Sequence, residues 1–143
     1  MPGKRKVKVI IDTNLFVSFL IGKRLSKLKS AIVNEKVELI FSEQNITELK
    51  TVTSRPKLKR YFDSKDVSEL IELIYLIGKI VEVDTEPSIC RDPKDNFLLG
   101  LSEQENVDYL ISGDKDLLVL ENYKSTKIVS ISEFEHVLLT EYD

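Results

Sequence analysis

Four acidic residues of this chain stand where a folded protein could bring them together. Asp12 closes the apolar run Val7, Lys8, Val9, Ile10, Ile11, and Asp114 follows the run Tyr109, Leu110, Ile111 across Ser112 and Gly113. Glu48 falls in the segment after Val37 to Phe41, and Asp95 follows Asp92, Pro93 and Lys94. Each has a local explanation. Asp92 can cap a helix whose first residue is Pro93, and Asp95 then occupies the third helical position, where the dipole favours a negative charge by about 0.3–1 kcal/mol. Asp114 can cap a following helix, and Glu48 can be a solvated helix charge. Asp12, at the end of a buried strand, needs a partner. If the acids converge, like charges about 4 Å apart repel by about 4 kcal/mol at an effective dielectric near 20, more than capping offsets. A divalent cation removes that repulsion. With 1 Cys (Cys90) and 1 His (His136), the chain lacks the usual zinc donors and the Ser-His-Asp or Cys-His nucleophiles. Oxygen donors alone favour Mg²⁺ or Mn²⁺. Two such ions suit phosphodiester hydrolysis, one generating hydroxide from a bound water and both stabilising the in-line transition state.

The acids meet only if the surrounding elements place them at one end of a sheet. Val7 to Ile11 reads as a buried parallel strand. Leu15, Phe16, Phe19 and Leu20, then Leu25, Leu28, Ile32 and Val33, recur at helical steps, with Gly22 dividing them into two helices. Val37 to Phe41 is a second strand, running into a Ser42 N-cap and a helix through Ile46, Leu49 and Val52. After Arg55 and Pro56, a short basic piece with Leu58 and Phe62 leads to an amphipathic helix through Leu70, Ile71, Ile74 and Ile77, stopped by Gly78. Ile80 to Val83 is a third strand, Thr85 to Arg91 a loop, and Phe97, Leu98 and Leu101 mark a helix opened by Pro93. Tyr109 to Ile111 is a fourth strand and Leu117, Leu118 and Leu120 a short helix. A fifth strand surrounds Ile128 and Val129, and a last helix carries Phe134, Val137 and Leu138. Strands alternating with helices imply parallel pairing, hence a three-layer α/β/α sandwich. Ligands of such sheets bind beyond the carboxyl ends of the strands, where the acids stand.

At 143 residues, 42% hydrophobic and 31% charged, residues 1–143 suit a single folded domain and exclude a disordered acidic tail; 5 Gly and 4 Pro exclude linker-dominated material. No stretch of about 20 apolar residues is present, and Asp12 and Asn14 interrupt the one run that imitates a signal segment, so the expected location is cytoplasmic, without a membrane. A net charge of −3 argues against a generally basic, phosphate-neutralising surface, leaving room for a local basic patch. Lys23, Arg24, Lys27 and Lys29, or Arg55, Lys57, Lys59 and Arg60, are the candidates; as helix-surface charges they need no such role.

The run Val9, Ile10, Ile11, Asp12, Thr13, Asn14, then Asp92, Pro93, Lys94, Asp95, Asn96, then Leu110, Ile111, Ser112, Gly113, Asp114, Lys115, Asp116, Leu117, resembles the PIN domain nucleases, in particular the small prokaryotic toxin-type members. The likeness spans Val7 to Glu133. It implies a parallel sheet in the order 3-2-1-4-5 and metal-dependent endoribonuclease activity on an RNA substrate. The family's acids map onto Asp12, Glu48, Asp95 and Asp114 as catalytic metal ligands, with Asp116 as a further ligand and Asn14 and Ser112 as polar residues orienting acids, water or substrate. Glu43 competes with Glu48 for the second position. The resemblance also implies Mg²⁺ or Mn²⁺ as cofactor, a small protein antitoxin, and a homodimer. The alternative is a PIN-like binding or regulatory domain without catalysis. A phosphoacceptor receiver fits poorly, because it wants adjacent acids after the first strand, where Thr13 and Asn14 follow Asp12. A haloacid-dehalogenase-like phosphatase wants an acid at position 14, where Asn14 stands.

Overall fold

The computed structural model describes residues 6–22, 36–84 and 86–141, with backbone alone at 19–22, 66 and 141. The second helix expected after Gly22, with Leu25, Leu28, Ile32 and Val33 and the basic residues Lys23, Arg24, Lys27 and Lys29, lies outside the described residues, as do the side chains of Phe19 and Leu20. The elements are β1 (Val7–Ile11), α1 (Thr13–Gly22), β2 (Val37–Ser42), α2 (Glu43–Thr53), a 3₁₀ turn (Pro56–Leu58) and α3 (Ser64–Ile77). There follow β3 (Lys79–Val81), α4 (Pro93–Gln104), β4 (Tyr109–Ile111), α5 (Lys115–Leu118), β5 (Asn122–Tyr123), β6 (Thr126–Val129) and α6 (Ile131–Glu141).

Alternation along the strands sorts their side chains into two layers. Val7, Val9, Ile11, Leu39, Phe41, Tyr109, Ile111 and Val129 pack on one face with Phe16, Ile46, Leu49, Ile74 and Phe134 from α1, α2, α3 and α6. Ile10, Ile40, Leu110 and Ile128 pack on the other with Leu98, Leu99 and Leu101 of α4 and Leu117 of α5. Both faces of the sheet are therefore covered, which is why its strands read as nearly continuous apolar runs.

The sheet order is β3-β2-β1-β4-β6-β5. Its five parallel strands follow the expected 3-2-1-4-5 order, β6 being the fifth. The correction is at the edge: β5, two residues long, pairs antiparallel with β6. Its turn carries Lys124 at φ 53°, after Glu121 at φ 62°. A two-residue strand with one polar member has no alternation to detect. The third strand runs over Lys79–Val81, earlier than Ile80 to Val83, because only Lys79, Ile80 and Val81 find partners in β2.

Side-chain caps set the helix starts. Ser42 Oγ accepts from Asn45 N at 3.1 Å while Asn45 Oδ1 accepts from Ser42 N at 3.0 Å, a reciprocal capping box at the mouth of α2. Ser130 and Glu133 repeat it at α6. Gly78 ends α3 for a steric reason: a Cβ there would lie 2.7 Å from the Phe41 ring and 2.8 Å from the Ile74 carbonyl oxygen. Gly78→Ala must displace a core aromatic, and we expect a loss of about 1–3 kcal/mol, read as a lower urea midpoint with an unchanged slope.

Candidate active site

Strand register brings the first acid to its partner. Ile11 pairs with Ile111, and Ile111 with Val129. The ladder extends one step past the strands, with Asp12 N donating to the Ile111 carbonyl at 2.9 Å and Ser112 N to that of Val129 at 3.0 Å. Asp12 and Ser112 thus leave neighbouring strands side by side. Ser112, fully buried, donates from Oγ to Asp12 Oδ2 at 2.9 Å and accepts from Asp114 N at 2.9 Å. One hydroxyl orients Asp12 and fixes the backbone that presents Asp114. Asp12 Oδ1 accepts from Asn14 N at 3.1 Å, so Asn14 reaches this acid through its main chain.

Asp114 performs the structural task expected of it and stays in the crevice. It caps α5, Oδ1 accepting from Asp116 N at 2.9 Å. Asp92 likewise caps α4, Oδ1 accepting from Lys94 N at 2.9 Å, with Pro93 at the first helical position. That cap sets the start of the helix in whose first turn Asp95 lies buried.

Asp12, Glu48, Asp95 and Asp114 line one crevice at the carboxyl ends of β1, β2 and β4, together with Asn14, Gln44, Asn45, Asp92 and Lys94. Glu43 is elsewhere, its Oε2 accepting from the Tyr75 hydroxyl at 2.7 Å. Of the two glutamates, geometry places Glu48 with the acids. Asp116 reaches the group from α5: one carboxylate oxygen from each of Asp95, Asp114 and Asp116 lies within 4.8 Å of the other two. Its carboxylate is also held by Arg91, whose Nη2 donates to both oxygens at 3.0 and 2.9 Å.

Asp95 carries the strain of the cluster. It is 3% exposed, and its Oδ2 is buried without a hydrogen-bond partner as a carboxylate. Its pKa is pushed up to about 7, first by burial, then by a hydrogen bond that the protonated group shares with Asp114, then by the charges of Asp114, Asp92 and Asp12. A buried acid facing other acids keeps its proton unless a cation replaces it. The donors are hard oxygens and one oxygen of the buried Asp95 lacks a partner, so the residues fit a hard divalent ion. Burial, with the charges of Asp95, Asp116, Asp114 and Asp92, pushes the Cys90 thiol up, away from thiolate chemistry.

Two neighbours of these acids belong to the run that carries the family resemblance but are given no role of their own by the sequence. Asn96 accepts at Oδ1 from Ile89 N at 3.0 Å and Cys90 N at 2.8 Å, and donates from Nδ2 to the Cys90 carbonyl at 2.9 Å. It fastens the loop before α4 to the helix that carries Asp95. Lys94 extends Nζ to 3.9 Å from Glu48 Oε2. The described basic candidates Arg55, Lys57, Lys59 and Arg60 are exposed and lie outside the lining of the crevice.

Comparison with known proteins agrees with this geometry. The sequence profile of the PIN domain matches residues 8–116. The uncharacterised protein MJ1680 of Methanocaldococcus jannaschii is 31% identical over 120 residues, covering 82% of this chain and 77% of that protein. Among solved structures, PAE2754 from Pyrobaculum aerophilum superposes with a TM-score of 0.64 at 15% identity, covering 94% of this chain and 91% of that one. VapBC2 from Rickettsia felis, solved with a DNA fragment from the promoter, gives 0.57 at 11% identity over 87% and 98%. The PIN domain endonuclease Utp24 gives 0.54 at 17% identity over 90% and 87%. The chain belongs to the PIN domain family, and these neighbours share its α/β fold with a mostly parallel sheet.

Proposed function

We propose that the protein is a divalent-metal-dependent endoribonuclease, with Mg²⁺ or Mn²⁺ held by Asp12, Glu48, Asp95 and Asp114, assisted by Asp116. The observation that carries this reading is the buried, partnerless Oδ2 of Asp95 in a crevice also lined by Asp12, Glu48, Asp92 and Asp114. When bound, the ion would lower the pKa of a water and offset charge at the phosphate. The chain's own residues do the rest. Ser112 holds Asp12 by its Oδ2, and the Asn14 amide holds Oδ1, so the carboxylate keeps one orientation through the reaction. Asp114, locked by its cap, lines the same crevice. Preorganised acids of this kind need no rearrangement as charge develops at the phosphorus. With Cys90 kept as a thiol, a covalent sulfur nucleophile is not part of the reading.

The toxin role belongs to the same proposal. It is supported by PIN membership and by the fold shared with the VapBC proteins, two of which were solved with DNA. On this reading a small antitoxin protein covers the acidic groove, the chain acts as a homodimer in the cytoplasm, and its chemistry is of the same kind as that of the endonuclease Utp24. Among the described residues, no helix is long and apolar enough to cross a membrane. The test is cleavage of single-stranded RNA with Mn²⁺. Wild type should cleave, and the double variant Asp12→Asn plus Asp95→Asn should not. Equal slow cleavage by both would mark a contaminant and end the reading.

A further inference from the structure

The cation in the crevice, Lys94, sits where the dipole of its own helix disfavours it and the facing acids favour it. Lys94 is the second residue of α4, inside the first turn, where the helix dipole disfavours positive charge and prefers Asp or Glu. Its ammonium nonetheless reaches to 3.9 Å from Glu48 Oε2, across from a different element, and among the described residues it is the one cation lining the crevice. Side chains that break a local preference in this way are expected where function is built. Its side chain is 55% exposed while that of Glu48 is 23% exposed, so the amine can leave Glu48 and swing outward without being stripped of water.

The same geometry leaves Glu48 with two competing cations. A divalent ion on Glu48 and an ammonium 3.9 Å from its Oε2 repel each other, so the ion would drive that ammonium toward the mouth of the crevice. A nucleic-acid strand entering there presents phosphate oxygens, for which a lysine ammonium is a mobile point-charge partner.

Building on the nuclease reading, we infer that Lys94 is a substrate-positioning residue: paired with Glu48 in the free protein, it yields that carboxylate to the divalent ion and takes a backbone phosphate next to the bond being cut. The exchange is ionic and breaks no covalent bond. Asp95, beside it in sequence, stays with the acids while Lys94 moves to substrate. The four residues from Asp92 to Asp95 thus supply a cap, a phosphate contact and an acid, with Pro93 fixing the backbone between the first two.

Calorimetric titration of Mn²⁺ into wild type, Lys94→Gln and Lys94→Arg, with steady-state cleavage of a short single-stranded RNA, separates the possibilities. Removing the competing ammonium should tighten Mn²⁺ binding about fivefold in Lys94→Gln. Losing the phosphate contact should raise its KM about tenfold with kcat within about threefold of wild type. Lys94→Arg should keep a KM near wild type. A structural role for Lys94 would instead lower the melting temperature and leave Mn²⁺ affinity unchanged or weaker. Wild-type uptake of Mn²⁺ and cleavage, with Lys94→Gln matching it in both affinity and KM, overturns this inference alone. A wild type that neither takes up Mn²⁺ nor cleaves overturns the nuclease reading, and this inference with it.

Discussion

Asp95→Asn is expected to abolish cleavage and, in the metal-free protein, to raise stability. Both effects follow from one atom. Oδ2 of Asp95 is buried with no partner, so the ionised group is held against its own solvation and against Asp114, Asp92 and Asp12. An asparagine of nearly the same shape carries no charge and can donate its amide N–H toward Asp114. At pH 8 the variant should be more stable than wild type by about 2–4 kcal/mol, seen as a melting temperature higher by roughly 6–12 °C. The same change removes a charged ligand from the centre, and kcat should fall by about a thousandfold or more. Stability gained while activity is lost marks a site built under strain. An Asp95→Asn protein less stable than wild type at pH 8 would show that Asp95 serves packing instead.

The second large effect is the pH dependence of the metal-free wild type. The Asp95 carboxyl is pushed up to about 7 in the folded chain, against 3.8 for the unperturbed group. Between these values the folded state holds a proton that the unfolded state has released, so stability falls as pH rises through the interval. This contribution is fully present below about pH 4 and is lost by about pH 8, a change of roughly 3–4 kcal/mol from this one group. Melting should therefore come earlier at pH 8 than at pH 5 in chelator. Millimolar Mn²⁺ should recover the loss at pH 8 and act weakly at pH 5, where protons compete for the ligand. A melting temperature that ignores both pH and Mn²⁺ over this range would contradict the strain assigned to Asp95.

Much of this was legible in the sequence because strands and acids mark each other. The run Val7 to Ile11 named β1 and pointed to Asp12 at its end; Tyr109 to Ile111 did the same for Asp114. Capping chemistry was equally direct, since Ser42, Asp92 with Pro93, and Asp114 are the residue types that helix starts require, and each caps its helix. The choice between Glu43 and Glu48 was not legible: both lie on α2, and only the rotation of that helix over the sheet turns Glu48 to the crevice and Glu43 to Tyr75. The short β5 escaped because two residues carry no period. Asn96 escaped for a different reason: its work is to bind main-chain groups of its own loop, and those bonds depend on a loop shape that residue types do not encode. Asp116 reads as an acid of the site, yet its pairing with Arg91 could not be read from two residues whose approach depends on how the loop before α4 lies against α5.

Titration calorimetry of Mn²⁺ into the chelator-treated wild type at pH 7, run in two buffers of different ionisation enthalpy, goes straight to the central claim that these acids share a cation. The account predicts saturable uptake accompanied by release of a fraction of a proton, because Asp95 is part-protonated at that pH and must give up its proton to the ion. Heats that never saturate, or that are identical in the two buffers once dilution is subtracted, would contradict it.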